Sequence, residues 1–416
     1  MKSIVVIGGG FAGLWSAAGA ARKLDELNVS ANEVKITLID QNDFHSIRVR
    51  NYEDDLEVSV IPLARVLDPI NVARVKGKVV GLDLARQTVQ VDTGMGTQDV
   101  TYDKLVYALG SQLRRPPIPG LADHSFDVDT YHGAKRLEQH LESLPAAARG
   151  DERYTALVVG AGLTGIEIAC ELPARLAKIK ALAGGTEPIR VLLADSSPTI
   201  GSDMGSQAQA VIDEALKSLG VETRTGVAIT KVDASGVTLA DGEEIPAATV
   251  IWCAGMKAND LSSLLPVEKD RMGRVAVDEF MRVKGMDNVF AAGDAAWSML
   301  DETHASVMSC QHGRPMGRYA GHNVAADIMG TEMLPLHIDW YTTVLDLGPW
   351  GAVYTMGWDR QVIATRDAAK QTKRTINGQR IYPPQSGDRA EILAAAAPEV
   401  QAPPATQRQA LDSPAC

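Results

Sequence analysis

Three aspartates of this chain stand where a carboxylate could grip hydroxyl groups. Asp40 ends the run VKITLID, Asp195 ends IRVLLAD, and Asp294 follows Gly293 in NVFAAGDAAW. The first two lie downstream of glycines at G-x-G-x-x-G spacing, Gly8, Gly10 and Gly13 in SIVVIGGGFAG and Gly160, Gly162 and Gly165 in TALVVGAGLTG. In such a loop the first glycine makes the turn, the second lets a phosphate approach the backbone, and the third lets helix and strand pack closely. The following helix offers free N–H groups and about half a positive charge to the anion. The chemistry this predicts is binding: a pyrophosphate at each loop and a ribose at each acid. Other chemistries lack their residues. Cys170, Cys253, Cys310 and Cys416 are far apart, with no C-x-x-C or metal-ligand spacing. No metal site, disulfide framework or protein nucleophile is therefore expected.

The elements that must position these groups are legible as a repeat. An apolar strand (Ile4–Ile7), a glycine loop, a helix start (Leu14–Ala21) and a second strand ending in Asp40 recur as Ala156–Val159, the second loop, its helix and Ile189–Asp195. Recurrence of the whole unit in one chain implies two dinucleotide sites. Buried strands running into Gly110 (VTYDKLVYALGS) and Gly255 (TVIWCAG) belong to the first and second unit respectively. The expected class is α/β, with two Rossmann-like dinucleotide-binding domains, the first interrupted by the second, and a small C-terminal α+β module. The expected boundaries are 1–145 and 283–330 for the first domain, 146–282 for the second, 331–382 for the module and 383–416 for a disordered tail. The last assignment rests on composition, since Pro, Ala, Gln and charge dominate there with little periodicity. The stretch 306–326 reads as helical after Pro315, because proline suits a first turn.

Composition bounds the rest. The 416 residues carry a net charge of −11, with 45% hydrophobic and 22% charged residues, and no Lys/Arg run. That leaves no electrostatic nucleic-acid footprint and argues against attraction to anionic lipid. No run of ~20 apolar residues reads as a transmembrane helix. The N-terminal stretch superficially resembles a secretory signal, but its glycines sit at fingerprint spacing and it has a single lysine. After Asp195 come Ser196, Ser197 and Pro198, with no arginine for a 2′-phosphate. That favours NADH over NADPH. Phe44, His45 and Arg48 follow Asp40 and stand where they could line a cofactor, although a lone histidine reads first as structural.

The run of motifs resembles the two-dinucleotide-binding flavoproteins of the pyridine nucleotide-disulfide oxidoreductase superfamily, and within it the type II NADH dehydrogenase-like branch. GGGFAG is similar to its FAD loop, GAGLTGIEIACEL to its NAD(H) loop, and TVIWCAG and NVFAAGDAA to its later flavin-side signatures. The resemblance implies FAD on Gly8, Gly10, Gly13, Asp40 and Asp294, and NADH on Gly160, Gly162, Gly165 and Asp195. Gly110, Gly255 and Gly293 join the cofactor-binding set. It places Glu167 near the nicotinamide and Gln311 on the acceptor side, although an acid one turn inside a helix also suits the helix dipole. The redox cysteine pair of the disulfide reductases is absent from NDFHSIRVR. Where the quinone-reducing branch has two glutamines on a late helix, this chain has Gln311 and Pro315. The implied activity is FAD-dependent NADH dehydrogenation, with electrons passed to a quinone-like or other acceptor. A ferredoxin-type protein acceptor and a flavin/NADH redox sensor remain alternatives. The expected compartment is the cytoplasm, with a homodimer and a peripheral contact at the inner face of a membrane left open.

Overall fold

In the computed structural model, residues 1–147 and 150–405 are described. The first strand (Lys2–Ile7) is the centre of a five-stranded sheet, with Val34–Asp40 and then Ala73–Lys76 on one side and Lys104–Tyr107 and then Val289–Ala291 on the other. Every pairing in it is parallel, with Ile7 opposite Ile39 and Tyr107. Because both faces are covered, these strands are nearly continuous in apolar residues: Ile4 to Ile7 are all at most 1% exposed. The last strand arrives almost two hundred residues after its neighbour. Between them the chain builds a second parallel sheet, ordered Val221–Arg224, Ile189–Ala194, Tyr154–Val159, Thr249–Trp252. The chain leaves and returns side by side, Ser111–Leu113 pairing antiparallel with Met256–Ala258. Each parallel sheet carries a three-stranded antiparallel attachment, at residues 78–101 and 229–246.

The late helix (Cys310–Met329) lies along the first helix (Phe11–Glu26) at backbone distance. A Cβ on Gly317 would fall 2.4 Å from the Ala12 carbonyl oxygen, and one on Gly321 would fall 2.1 Å from that of Ser16. Only glycine permits this seam, which sets the start of the first helix against the middle of the late helix. The late helix begins at Cys310, five residues before the expected start. Pro315 sits inside it, and its missing N–H leaves the Gln311 carbonyl without its usual helical donor.

After the late helix, three antiparallel strands (Thr342–Asp346, Ala352–Met356, Gln361–Thr365) and a helix (Arg366–Thr375) pack against the second unit. The expected disordered tail is corrected in part: Arg389–Ala395 is helical, with Ile392 and Leu393 buried. Asp388 accepts from the Glu391 N–H at 2.8 Å, a D-x-x-E cap that composition alone obscured. Arg389 ties this helix to Asp25 of the first helix at 2.7 Å. Residues 406–416 of that expectation, and residues 148–149 near the start of the expected second domain, lie outside the described residues.

Candidate active site

The two glycine loops are the same object built twice. Gly8 and Gly160 have φ of +102° and +104°, a region that L side chains rarely adopt. A Cβ on Gly13 or on Gly165 would lie 1.8 Å from the carbonyl oxygen of Gly8 or Gly160. Gly10 and Gly162 have nothing within 4 Å of a modest added side chain, so each presents an open backbone face. Each is also the N-cap of its helix, Phe11–Glu26 or Leu163–Ala183, with no side chain satisfying the first N–H groups. This is the cradle a pyrophosphate requires.

The acids match as well. Asp40 accepts the Gly9 N–H at 2.6 Å on one oxygen and the Asn42 N–H at 2.7 Å on the other. Asp195 accepts from Ala161 at 2.5 Å and from Ser197 at 2.7 Å. Each carboxylate thus ties the end of one strand to the loop of the next, which holds it at the rim of the cradle. Burial lifts the Asp40 carboxyl above its ordinary range, against the pull of the Asn42 and Gly9 N–H groups. His45 is fully buried and contacts the Gly9 carbonyl through Nδ1 at 2.9 Å. Burial drives it down to about 4, so at neutral pH it is uncharged and Nδ1 carries the proton it donates. His45 is a loop-positioning residue.

Gly293, at φ +74°, packs against Ala12 just past the first loop. Asp294 accepts from the Ser111 hydroxyl at 2.6 Å, with Arg48 at 3.8 Å. Arg48 also pairs with Asp129. Burial opposes its charge, but Asp129 and Asp294 outweigh that and hold the guanidinium above its ordinary value. Gly110 and Gly255 turn the chain at the two ends of the connecting ribbon, and the Arg114 N–H reaches the Gly255 carbonyl at 3.0 Å. Around Asp195 the nearest strand neighbour, Arg224, has its guanidinium 3.8 Å from Glu243.

Glu167 and Gln311 frame a different place, an apolar cavity of about 240 Å³ where both units meet the C-terminal module. Leu163 of the second unit, the start of the late helix, Trp340–Val344, Lys373 and Val400 line it. Gln311 is one of its walls; its Nε2 donates to the Trp340 carbonyl at 3.2 Å. Glu167 stands behind the wall and reaches it through Lys373, whose Nζ is 2.7 Å away. Burial raises the Glu167 carboxyl while Lys373 draws it down. One turn on, burial and the charge of Asp346 push Glu171 up to about 7, against Lys370 and Arg175. Lys370, Lys373 and Asp346 come from a module that sequence reading did not connect with this helix. Their signal was weak: two glutamates four apart on one helix, two lysines three apart on another.

A second cavity, of about 360 Å³, opens beside Asp40, Asn42 and Lys76. No cluster of His, Cys, Asp or Glu among the described residues could hold a metal ion, and no helix among them is long and apolar enough to cross a membrane.

Residues 2–317 match the profile of the pyridine nucleotide-disulphide oxidoreductase family. An NADH dehydrogenase-like protein of Mycobacterium tuberculosis is 54% identical over 404 residues, covering 97% of this chain and 100% of the relative. The demethylphylloquinone reductase of Synechocystis is 29% identical over 363 residues, covering 84% of this chain and 85% of the relative. In three dimensions the fold is shared with the NADH-bound NDH2 of Plasmodium falciparum, at a TM-score of 0.76 and 12% identity, covering 95% of this chain and 97% of the other. The chain belongs to the pyridine nucleotide-disulphide oxidoreductase family, and its two-unit α/β fold is that of these enzymes.

Proposed function

We propose that this oxidoreductase binds FAD at the first loop and NADH at the second, and reduces a small quinone-like acceptor in the cavity beside the late helix. The observation that carries the reading is the duplicated cradle: two loops of matching backbone, each with an uncapped helix start and a rim aspartate. Gly10 and Gly162 give the pyrophosphates their approach, and Asp40 and Asp195 face the riboses. Asp195 repels a 2′-phosphate, and Arg224, drawn toward Glu243, does not offset it. The bound flavin supplies hydride acceptance from the nicotinamide and onward transfer of the electrons.

The chain's own residues position, bind and exclude water. Asp294, held by Ser111 and facing Arg48, is placed to bind the flavin's polyol chain. The glycine seam locks the late helix against the start of the first helix, with Gly313 beside Gly293, so the elements around the first loop are held as one unit. Trp340, Val344, Ile376 and Val400 give the acceptor cavity an apolar wall, and its size suits a single ring system better than a protein surface. Glu167 and Lys373 form a buried charged pair at its edge, able to hold a proton near the acceptor oxygen.

Anaerobic titration with NADH and with NADPH, followed by an acceptor panel, tests the reading. NADH is expected to bleach the flavin band at much lower concentration than NADPH, and a quinone to restore it. A colourless protein that cannot be reconstituted with FAD would sink the proposal. Size measurements and vesicle flotation report separately on a homodimer and on peripheral membrane contact.

A further inference from the structure

The acceptor cavity has an electrostatic character that a neutral quinone does not call for. Arg314 and Arg318, successive turns of the late helix, both line it and are 6% and 4% exposed. The Nε of each is enclosed without a hydrogen-bond partner, and among the described residues neither guanidinium has a carboxylate within 4 Å. Arg380 lines the same cavity and donates to the Ala402 carbonyl, with no carboxylate within 4 Å among the described residues. Lys373, the other cation of the wall, is already matched by Glu167.

Arginine does not escape burial by losing its proton. Burial draws Arg314 and Arg318 down to about 10, which leaves both charged at neutral pH. What they have instead of an anion is partial. Both guanidiniums lie over the Trp15 ring, at 5.8 and 4.4 Å, and Arg318 reaches the Glu399 carbonyl at 3.4 Å. The exposed Glu399 side chain is the acid whose charge acts on Arg318. A buried cation with so little compensation is expected where an anion completes the site. The pyrophosphate is not that anion, because no glycine of either loop, nor Asp294, lines this cavity. Ile376, Ile381, Val400 and Trp340 supply an apolar slot beside the arginines.

We propose that Arg314 and Arg318 select an acceptor that carries a carboxylate, an acidic quinone whose ring lies in the apolar slot and whose anion meets the two guanidiniums. This rests on the NADH:acceptor reading above. The reaction balances as NADH, one proton and the quinone giving NAD⁺ and the quinol; the carboxylate is untouched and serves recognition alone. Arg314 and Arg318 are specificity-determining residues, and the planar fork of each suits a carboxylate geometrically.

The test uses the full-length holoenzyme and two acceptors of nearly equal size that differ in charge, 2-methyl-3-(2-carboxyethyl)-1,4-naphthoquinone and its primary amide. The wild type is expected to favour the carboxylate at least tenfold in kcat/KM. Arg314→Met and Arg318→Met each cut that ratio at least fivefold, and Arg318→Lys restores part of it. Calorimetry on the oxidised holoenzyme reads binding without turnover: 1-hydroxy-2-naphthoate loses at least tenfold in affinity in either methionine variant, whereas neutral 1-naphthol does not. A wild-type ratio near one, or a ratio that the arginine variants leave unchanged, overturns the proposal. A chain ending at Ala405 that binds the naphthoate tenfold more tightly than the full chain also overturns it, by naming the protein's own C-terminal acids as the occupant. Failure of NADH to bleach the flavin would overturn the underlying reading instead, and the naphthoate measurement would still stand.

Discussion

Replacing Glu171 by glutamine should stabilise the protein, and only at high pH. Glu171 lies one turn beyond Glu167 on the helix Leu163–Ala183, with its side chain 22% exposed and Lys370 Nζ at 3.8 Å. Burial, and then the charge of Asp346, push its carboxyl up from an ordinary 4.5 to about 7. A carboxyl raised in the folded state binds its proton more tightly there than in the unfolded chain. Stability therefore falls as pH rises between those two values, and the loss is complete above the folded one. Keeping Glu171 ionised at pH 8 costs on the order of 3 kcal/mol, against roughly 1 kcal/mol or less at pH 5. Glutamine has the same shape and no charge, so it escapes the penalty while forfeiting the attraction of Lys370. Urea unfolding of holoenzyme and variant at pH 5, 6, 7 and 8 reads the difference directly. The expected gain grows with pH to about 2–3 kcal/mol. A gain of equal size at pH 5 and pH 8, or a loss at pH 8, would refute the assignment of burial as the cause.

Three further outcomes follow from other parts of the molecule. Lys373→Met leaves Glu167 buried without its cation and should cost about 3–5 kcal/mol, while Glu167→Gln/Lys373→Met together should cost markedly less than the sum; strictly additive losses in unfolding experiments would show that the pair is not coupled. Gly317→Ala drives a methyl to 2.4 Å from the Ala12 carbonyl and forces the two helices apart. It should cost about 1–3 kcal/mol and weaken flavin retention on dialysis, so a variant with unchanged melting temperature and flavin content would contradict the close-contact seam. Asp195→Arg should raise the NADPH/NADH ratio of kcat/KM at least tenfold, and an unchanged ratio would reject the ribose role of Asp195.

How much of this was legible in the sequence depended on whether a site is made by backbone or by distant side chains. The cradles were legible because glycine spacing alone dictates them: Gly8 needs its positive φ, Gly13 its missing Cβ, and both requirements are written in eleven consecutive residues. The α/β class followed from the same stretches, since parallel strands must be apolar on both faces. His45 had no such signature. Its hold on Gly9 depends on an antiparallel pairing of Phe44–Ser46 with Val60–Pro62, which no local pattern announces. The sequence points to a start at Pro315 because proline suits a first turn in isolation, whereas packing against the first helix begins the late helix five residues earlier, at Cys310. The tail was misjudged because its apolar face amounts to Ile392, Leu393 and Ala396, too few to register in composition yet enough to cover the first helix.

The late helix explains why the acceptor side was the least legible part. One face of it is fixed by backbone contact, with Gly317 and Gly321 against Ala12 and Ser16, and that face has no freedom to vary. The adjoining face carries Gln311, Arg314 and Arg318 into a cavity whose other walls include residues 340–344, 373–381 and 400–404, with both guanidiniums over Trp15 of the first helix. Each of those wall segments is remote in sequence, so no spacing rule links Arg318 to Val400 or Leu163 to Lys373. The two faces therefore obey different constraints. The seam must hold the late helix against the first whatever the acceptor, while substitutions on the cavity face change the lining of the cavity without touching the seam. Pro315 in place of a second glutamine belongs to that second face: it puts an apolar ring in the cavity wall, and it leaves the Gln311 carbonyl without its helical donor there. The departure from the quinone-reducing pattern falls on the cavity face, while both dinucleotide cradles keep their glycines and rim aspartates.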